Sequence, residues 1–146
     1  MYEQLKERIK KHEGYRNEVY VCSEGKRTIG YGHLIRANEN FKDGVKYPKE
    51  QLEELFDEDF ERSKQHALFL IESAGEDLEQ DSIEVIIEMV YQLGKSGVAR
   101  FKKMLEALSR NDYQEAARQM LDSRWYTQTP KRCEELAAIM ASCQGG

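Results

Sequence analysis

An α+β fold, with a small β-hairpin lobe near the N-terminus joined by a long helix to a mainly helical lobe, is predicted by three features of the sequence. Val, Tyr, Thr and Ile recur in short runs from Val19 to Tyr31 around Ser23-Glu24-Gly25-Lys26, the pattern of a hairpin. Behind Pro48, apolar residues return at helical spacing from Leu52 to Ile71. The C-terminal half is a succession of shorter amphipathic stretches with no strand alternation.

Taken in order, Tyr2, Leu5 and Ile9 mark one face of a first helix, and Gly14 stops it just after Glu13. The hairpin follows, and the polar, Asn- and Gly-containing stretch from His33 to Tyr47 reads as loops with room for one short strand. Pro48 suits the first turn of the long helix, whose stripe is Leu52, Leu55, Phe56, Phe60, Ala67 and Ile71 and whose end is expected at Ser73. Asp81 is expected to cap the next helix, with Glu84 in the capping-box position and Gly94 as its stop. Its run of Ile83, Val85, Ile86, Ile87, Met89, Val90 and Leu93 is apolar on most faces, which places it in the core. Amphipathic helices are expected over Val98 to Leu108 and Tyr113 to Leu121, and Thr129-Pro130 opens a last one carrying Leu136, Ile139 and Met140. No internal repeat is visible.

With 146 residues and 40% hydrophobic composition the chain suits a single domain able to hold its own core. Charged residues make up 34%, and the mean hydropathy of -0.77 argues against a membrane span. The formal charge is -5, from 22 Lys and Arg against 27 Asp and Glu, and the cations are interleaved with Glu, so nucleic acid is disfavoured as a partner. Cys22, Cys133 and Cys143 form no CxxC and no even set, which gives little support to a disulfide framework or a structural zinc site. Cys133 and Cys143 lie ten apart on or past one helix, too far to bond directly. Residues 1–11 are charged and lack an apolar h-region. A cytoplasmic product without a visible signal peptide is expected.

Candidate chemistry gathers between Glu13 and His33. A Glu at a helix C-terminus sits where negative charge is disfavoured, which pushes its carboxyl toward the protonated form that a general acid needs. Taken alone, however, such a Glu is usually just solvated, Gly30-Tyr31-Gly32 is a turn or close-packing device, and Thr28 is an ordinary strand former. His33 reads as a structural residue whose imidazole fixes the turn. Trp125 reads as core.

The order His12-Glu13-Gly14, then Tyr20, then Glu24-Gly25 and Thr28-Ile29-Gly30-Tyr31-Gly32-His33, resembles the active-site segment of the phage-type lysozymes, glycoside hydrolase family 24. The resemblance continues at Met89-Val90-Tyr91-Gln92-Leu93-Gly94, at Gly97-Val98-Ala99-Arg100-Phe101, and from Ser123-Arg124-Trp125-Tyr126 to Arg132, and so covers nearly the whole chain. It implies a lysozyme-like fold and a muramidase that cleaves the β-1,4 bond between N-acetylmuramic acid and N-acetylglucosamine, lysing bacterial cells. On this basis one domain over 1–146 is expected, with a hairpin lobe at about 14–47 and a helical lobe from 1–13 with 48–146, the cleft lying between them. Glu13 matches the family's catalytic acid, Thr28 a supporting Thr and Arg132 a supporting Arg. Sugar contacts would fall near Leu34, Tyr91 and Gln119, while Gly32, His33 and Gln92 stand as supporting positions. The partner is the peptidoglycan glycan strand, reached at the cell wall after release, and a monomer without cofactor or metal is expected.

Cys22 departs from the family pattern, because it occupies the position of the second catalytic residue, an Asp. As a thiolate it could activate water or attack the anomeric carbon; as a neutral thiol it would only fill space; as a buried cysteine it would be inert. A metal site from Cys22, His12 and His33 has no spacing to recommend it. The segment between His33 and Pro48 and the C-terminus are both shorter than in T-even phage members of the family. Two alternatives follow from the missing carboxylate. One is a lytic transglycosylase acting on the same bond, for which a single acid suffices. The other is a catalytically impaired sugar-binding or interaction module. An ion pair between Glu13 and Arg132 is the bland alternative for those two residues.

Overall fold

Helix, hairpin and helices follow one another in the expected order in the computed structural model, which describes residues 2–72 and 77–144. Helix α1 spans Glu3–Glu13 and ends at Gly14, whose N–H donates to the Lys10 carbonyl at 2.9 Å. An antiparallel three-stranded sheet follows, with β1 (Arg16–Val21), β2 (Arg27–Gly30) and β3 (His33–Leu34) in that spatial order. Tyr20 lies opposite Thr28 and Thr28 opposite Leu34, while the β1–β2 register is irregular between Arg16 and Tyr20. Strand β1 thus begins earlier than the Val19 at which the alternation becomes visible.

Helix α2 runs over Lys49–Glu72 and buries Leu52, Phe56, Phe60, Ala67 and Ile71, with Leu55 only half-buried. The expected end at Ser73 lies outside the described residues. The chain divides into two compact units, Met1–Arg62 and Ser63–Gly146, and the division falls inside α2. The lobe limits expected at residues 13 and 47 are therefore not the limits of the compact units. Ring and ion-pair contacts explain why α1 and the first half of α2 join the sheet in one unit. Tyr2 packs on Phe60 with ring centroids 5.8 Å apart, Tyr31 meets Phe56 edge-on at 5.4 Å, and Lys10 bonds Glu53 at 2.8 Å. Leu5, Ile9 and Ile29 complete a core in which each large side chain contributes about 1.5–3 kcal/mol of burial.

In the second unit α3 spans Gln80–Ala99, but Gly94 at φ 81° breaks its helical path. A left-handed residue ends an α-helix, so the expected stop is present and a short further turn follows it. The helix starts before Asp81, with Glu79 in the capping position and Ser82 Oγ donating to the Glu79 carbonyl at 2.6 Å. The expected Asp81 cap is thereby corrected: Asp81 lies inside the first turn, and Glu79 in the capping position makes no side-chain cap bond. Helices α4 (Lys102–Ser109), α5 (Tyr113–Leu121), α6 (Arg124–Gln128) and α7 (Pro130–Ser142) complete the unit. The stretch from Val98 is thus divided, Val98 and Ala99 closing α3 and α4 starting at Lys102. Two caps have clear chemistry. Asp112 accepts from the Glu115 N–H, and Ser123 accepts from the Tyr126 N–H. The core here includes Val85, Ile86, Ile87, Met104, Met120, Trp125, Leu136 and Met140.

Candidate active site

Glu13 is the last residue of α1, so its side chain leaves the helix where the chain turns toward β1. What meets it is Gly32, in the turn between β2 and β3, with φ 74°. A Cβ on Gly32 would lie 3.2 Å from Glu13 Cδ and nearer still to Oε1, so any side chain there would overlap the carboxyl. The left-handed backbone favours glycine here, and a side chain would push the carboxyl from its place.

Cys22 follows β1 at the hairpin turn. Its N–H donates to the Lys26 carbonyl and its own carbonyl accepts from Gly25 N–H, each at 2.9 Å. This tight turn also aims N–H groups at the sulfur. Hydrogen bonds from the backbone of Lys26 and then of Glu24 hold the thiol below its ordinary pKa, with a smaller contribution from the Thr28 hydroxyl, against desolvation and the Glu24 charge. Cys22 is partly exposed, unlike Cys133 and Cys143, whose thiols burial pushes up to about 11. The inert buried reading therefore fits those two cysteines and not Cys22. Thr28 is buried at 1% exposure, and its hydroxyl donates to the Lys26 carbonyl at 2.9 Å, beside the sulfur.

Tyr20 connects the acid and the thiol electrostatically. Burial raises its phenol pKa most, and the negative charges of Glu13 and Cys22 raise it further, while Arg16 opposes them from 4.6 Å over the ring. Glu13, Tyr20, Cys22 and Thr28 thus share one neighbourhood on the first unit. The sequence offered no reason to single out Tyr20 beyond its place in the family pattern.

His33 is 5% exposed and is held at both nitrogens. Nδ1 lies 2.7 Å from Asp59 Oδ2, and Nε2 lies 2.9 Å and 3.1 Å from the two Glu39 oxygens. Burial alone would lower the imidazole pKa, yet the bonds and charges of Asp59 and Glu39 outweigh it and raise the pKa. Leu34, the next residue, is 46% exposed and available to a ligand.

The remaining candidates lie in the second unit. Tyr91 is half-buried. Gln92 accepts from Trp125 Nε1 at 3.0 Å and donates to Thr129 Oγ1 at 3.2 Å, which ties α3 to the segment around α6. Gln119 donates to Glu115 at 2.7 Å and lines an open hollow of about 650 Å³ with Phe101, Arg124 and Trp125. Arg132 Nε donates to Glu88 Oε2 at 3.0 Å, and Glu88 is fully buried. Sequence reasoning passed over Glu88, although a lone carboxylate inside the apolar run from Val85 to Val90 demands a buried partner. Among the described residues no group of three or more His, Cys, Asp or Glu side chains is arranged to hold a metal ion. Among the same residues no helix is long and apolar enough to cross a membrane.

Residues 10–139 match the phage lysozyme family. The chain belongs to the phage lysozyme family. As a phage lysozyme it is a glycosidase that hydrolyses peptidoglycan. It is 31% identical over 160 residues to "Probable T4-type lysozyme 2" of Dictyostelium discoideum, covering 95% of this chain and 94% of that protein. It is 30% identical over 111 residues to the "Endolysin" of Salmonella phage P22, covering 75% of this chain and 73% of that one. A 29% identical match to "Peptidoglycan hydrolase gp36" of Pseudomonas phage phiKMV covers 88% of this chain and 14% of that longer protein.

Proposed function

We propose that this phage lysozyme is a muramidase that cleaves the β-1,4 bond between N-acetylmuramic acid and N-acetylglucosamine and lyses bacterial cells once released to the wall. The observation that carries the reading is the packing of the Glu13 carboxyl on Gly32, in the neighbourhood shared with Cys22 through Tyr20. Cleavage of a glycosidic bond needs an acid for the leaving oxygen and a second group that delivers or replaces water at the anomeric carbon. Glu13 is the acid. Cys22, its thiolate favoured by N–H groups of the hairpin turn, takes a proton from the attacking water as Glu13 gives its own to the leaving oxygen. Thr28 supports the sulfur through the turn, its hydroxyl bonded to the Lys26 carbonyl beside it. The products are a new reducing end and a new 4-hydroxyl, and the two protons re-equilibrate with solvent.

Resemblance to the family carries sugar contacts to Leu34, Tyr91 and Gln119 and supporting roles to Gly32, His33, Gln92 and Arg132. The enzyme works as a monomer on this reading. Glu13→Gln keeps the shape of the side chain but cannot donate the proton. It is expected to reduce clearing of permeabilised bacteria by at least about 100-fold while melting like the wild type. Wild-type clearing by that variant would remove the acid assignment. Mass analysis of the products separates hydrolysis from transglycosylation, since only the former adds a water to each broken bond.

A further inference from the structure

The doubly bonded imidazole of His33 has a chemical requirement that reaches the acid. Ionised carboxylates only accept hydrogen bonds, so Asp59 at Nδ1 and Glu39 at Nε2 both need a ring N–H, and only the imidazolium carries two. The other Asp59 oxygen accepts from Arg62 Nη1 at 3.0 Å. Glu39 is in turn held by the Arg36 N–H at 2.7 Å and by the Arg36 charge. The groups facing the ring are therefore Asp59 and Arg62 from α2 and Glu39 and Arg36 from the loop after β3, with the Phe41 ring at 6.4 Å. His33 follows directly on Gly32, the residue on which Glu13 rests.

We propose that Glu39 and Asp59 are positioning residues for the reaction: by gripping both nitrogens of a protonated His33 they hold the Gly32 turn as a fixed wall against the Glu13 carboxyl. The inference rests on Glu13 being the acid and adds the residues that aim it. A neutral ring would set a nitrogen lone pair against one of the two carboxylates, so one grip must open. Because the folded-state pKa of His33 is raised, the grip is complete below the imidazole's ordinary range and is lost as pH rises through the raised midpoint. With one side open, Gly32 is free to shift, and an acid displaced by a fraction of an ångström loses alignment with the leaving oxygen.

The test pairs magnetic resonance with kinetics on soluble muropeptide oligomers. In ¹⁵N-labelled wild-type protein both His33 ring nitrogens should be protonated near pH 6, and the Gly32 amide resonance should move with the imidazole midpoint as pH is raised. Glu39→Ala should lower kcat about tenfold at pH 6 with KM unchanged. Glu39→Gln, which restores an acceptor for the Nε2 proton, should recover most of that loss at pH 6 and lower the imidazole midpoint by removing a charge. A Gly32 resonance indifferent to the His33 titration, or wild-type kcat in Glu39→Ala, would overturn the proposal. Should Glu39→Ala fail to fold, the wild-type titration decides alone. Full lysis by Glu13→Gln would instead sink the acid assignment while leaving the coupling between His33 and Gly32 intact, so the two failures are distinguishable.

Discussion

Cys22 occupies the position where the family pattern has a carboxylate, and the two groups ionise in different pH ranges. A carboxylate ionises near pH 4, so an Asp base is ready throughout the range in which Glu13 can still hold a proton. A thiol does so only higher, and although turn N–H groups bring Cys22 down from its ordinary value, it must lose its proton while Glu13 keeps one. Activity is therefore expected to be low, to rise with pH as the thiolate fraction grows until Glu13 loses its proton, and to fall only above the thiol's own range. Cys22→Asp should move the whole profile to lower pH and raise the rate near pH 6, read as release of reducing ends between about pH 4 and 9. Coincident rising limbs in Cys22→Asp and wild type would show that the sulfur takes no part in the proton transfer. A Cys22→Ala variant as active as the wild type would show that the thiol does no chemistry and favour transglycosylation, in which the sugar's own hydroxyl displaces the bond. Position and residue type were legible in the sequence here. The N–H groups aimed at the sulfur were not, because they come from the shape of the 22–26 turn rather than from its composition.

Among the elements, α2 shows how far a periodic stripe reaches. Leu52, Phe56 and Phe60 were expected on its buried face, and each is at most 2% exposed. Phe56 meets Tyr31 edge-on and Phe60 at 6.2 Å, with the Lys10 ammonium 4.9 Å from its ring centroid, so it joins α1, the sheet and α2 in one core. Phe56→Ala should cost about 3 kcal/mol through the cavity it leaves, seen as a lowered midpoint in urea with unchanged slope. An unchanged midpoint would mean that this face does not hold the first unit together. Periodicity was weaker at element ends. Helix α3 starts one residue before Asp81, with the Ser82 and Ile83 N–H groups donating to the Glu79 carbonyl, so Asp81 falls inside the first turn, where it cannot act as the cap. The short α6 passed unnoticed because five residues are too few to show a helical stripe.

For the molecule as a whole, three cysteines in three environments give a direct check on which surfaces face solvent. Cys133 is fully buried, with its sulfur 3.3 Å from the Met120 carbonyl, and Cys143 is 8% exposed. Burial raises both thiols, whereas Cys22 is partly exposed and lowered. In native protein iodoacetamide should label Cys22 well before the other two, and all three should react in denaturant, as counted by intact mass. Labelling of Cys133 at the rate of Cys22 would contradict the packing of α5 against α7. By itself the sequence determined the order of elements, the apolar faces of the helices, the turn at Glu24-Gly25 and the stop at Gly14 that leaves Glu13 at a helix end. These follow from interactions within a turn or two of the chain, which residue spacing records. Only the tertiary structure decided that Gly32 closes on Glu13, that His33 is gripped by Asp59 26 positions away, that Glu88 meets Arg132 across 44, and that the compact units divide inside α2. Polar partners so far apart are chosen by how the elements dock, and no local pattern carries that information.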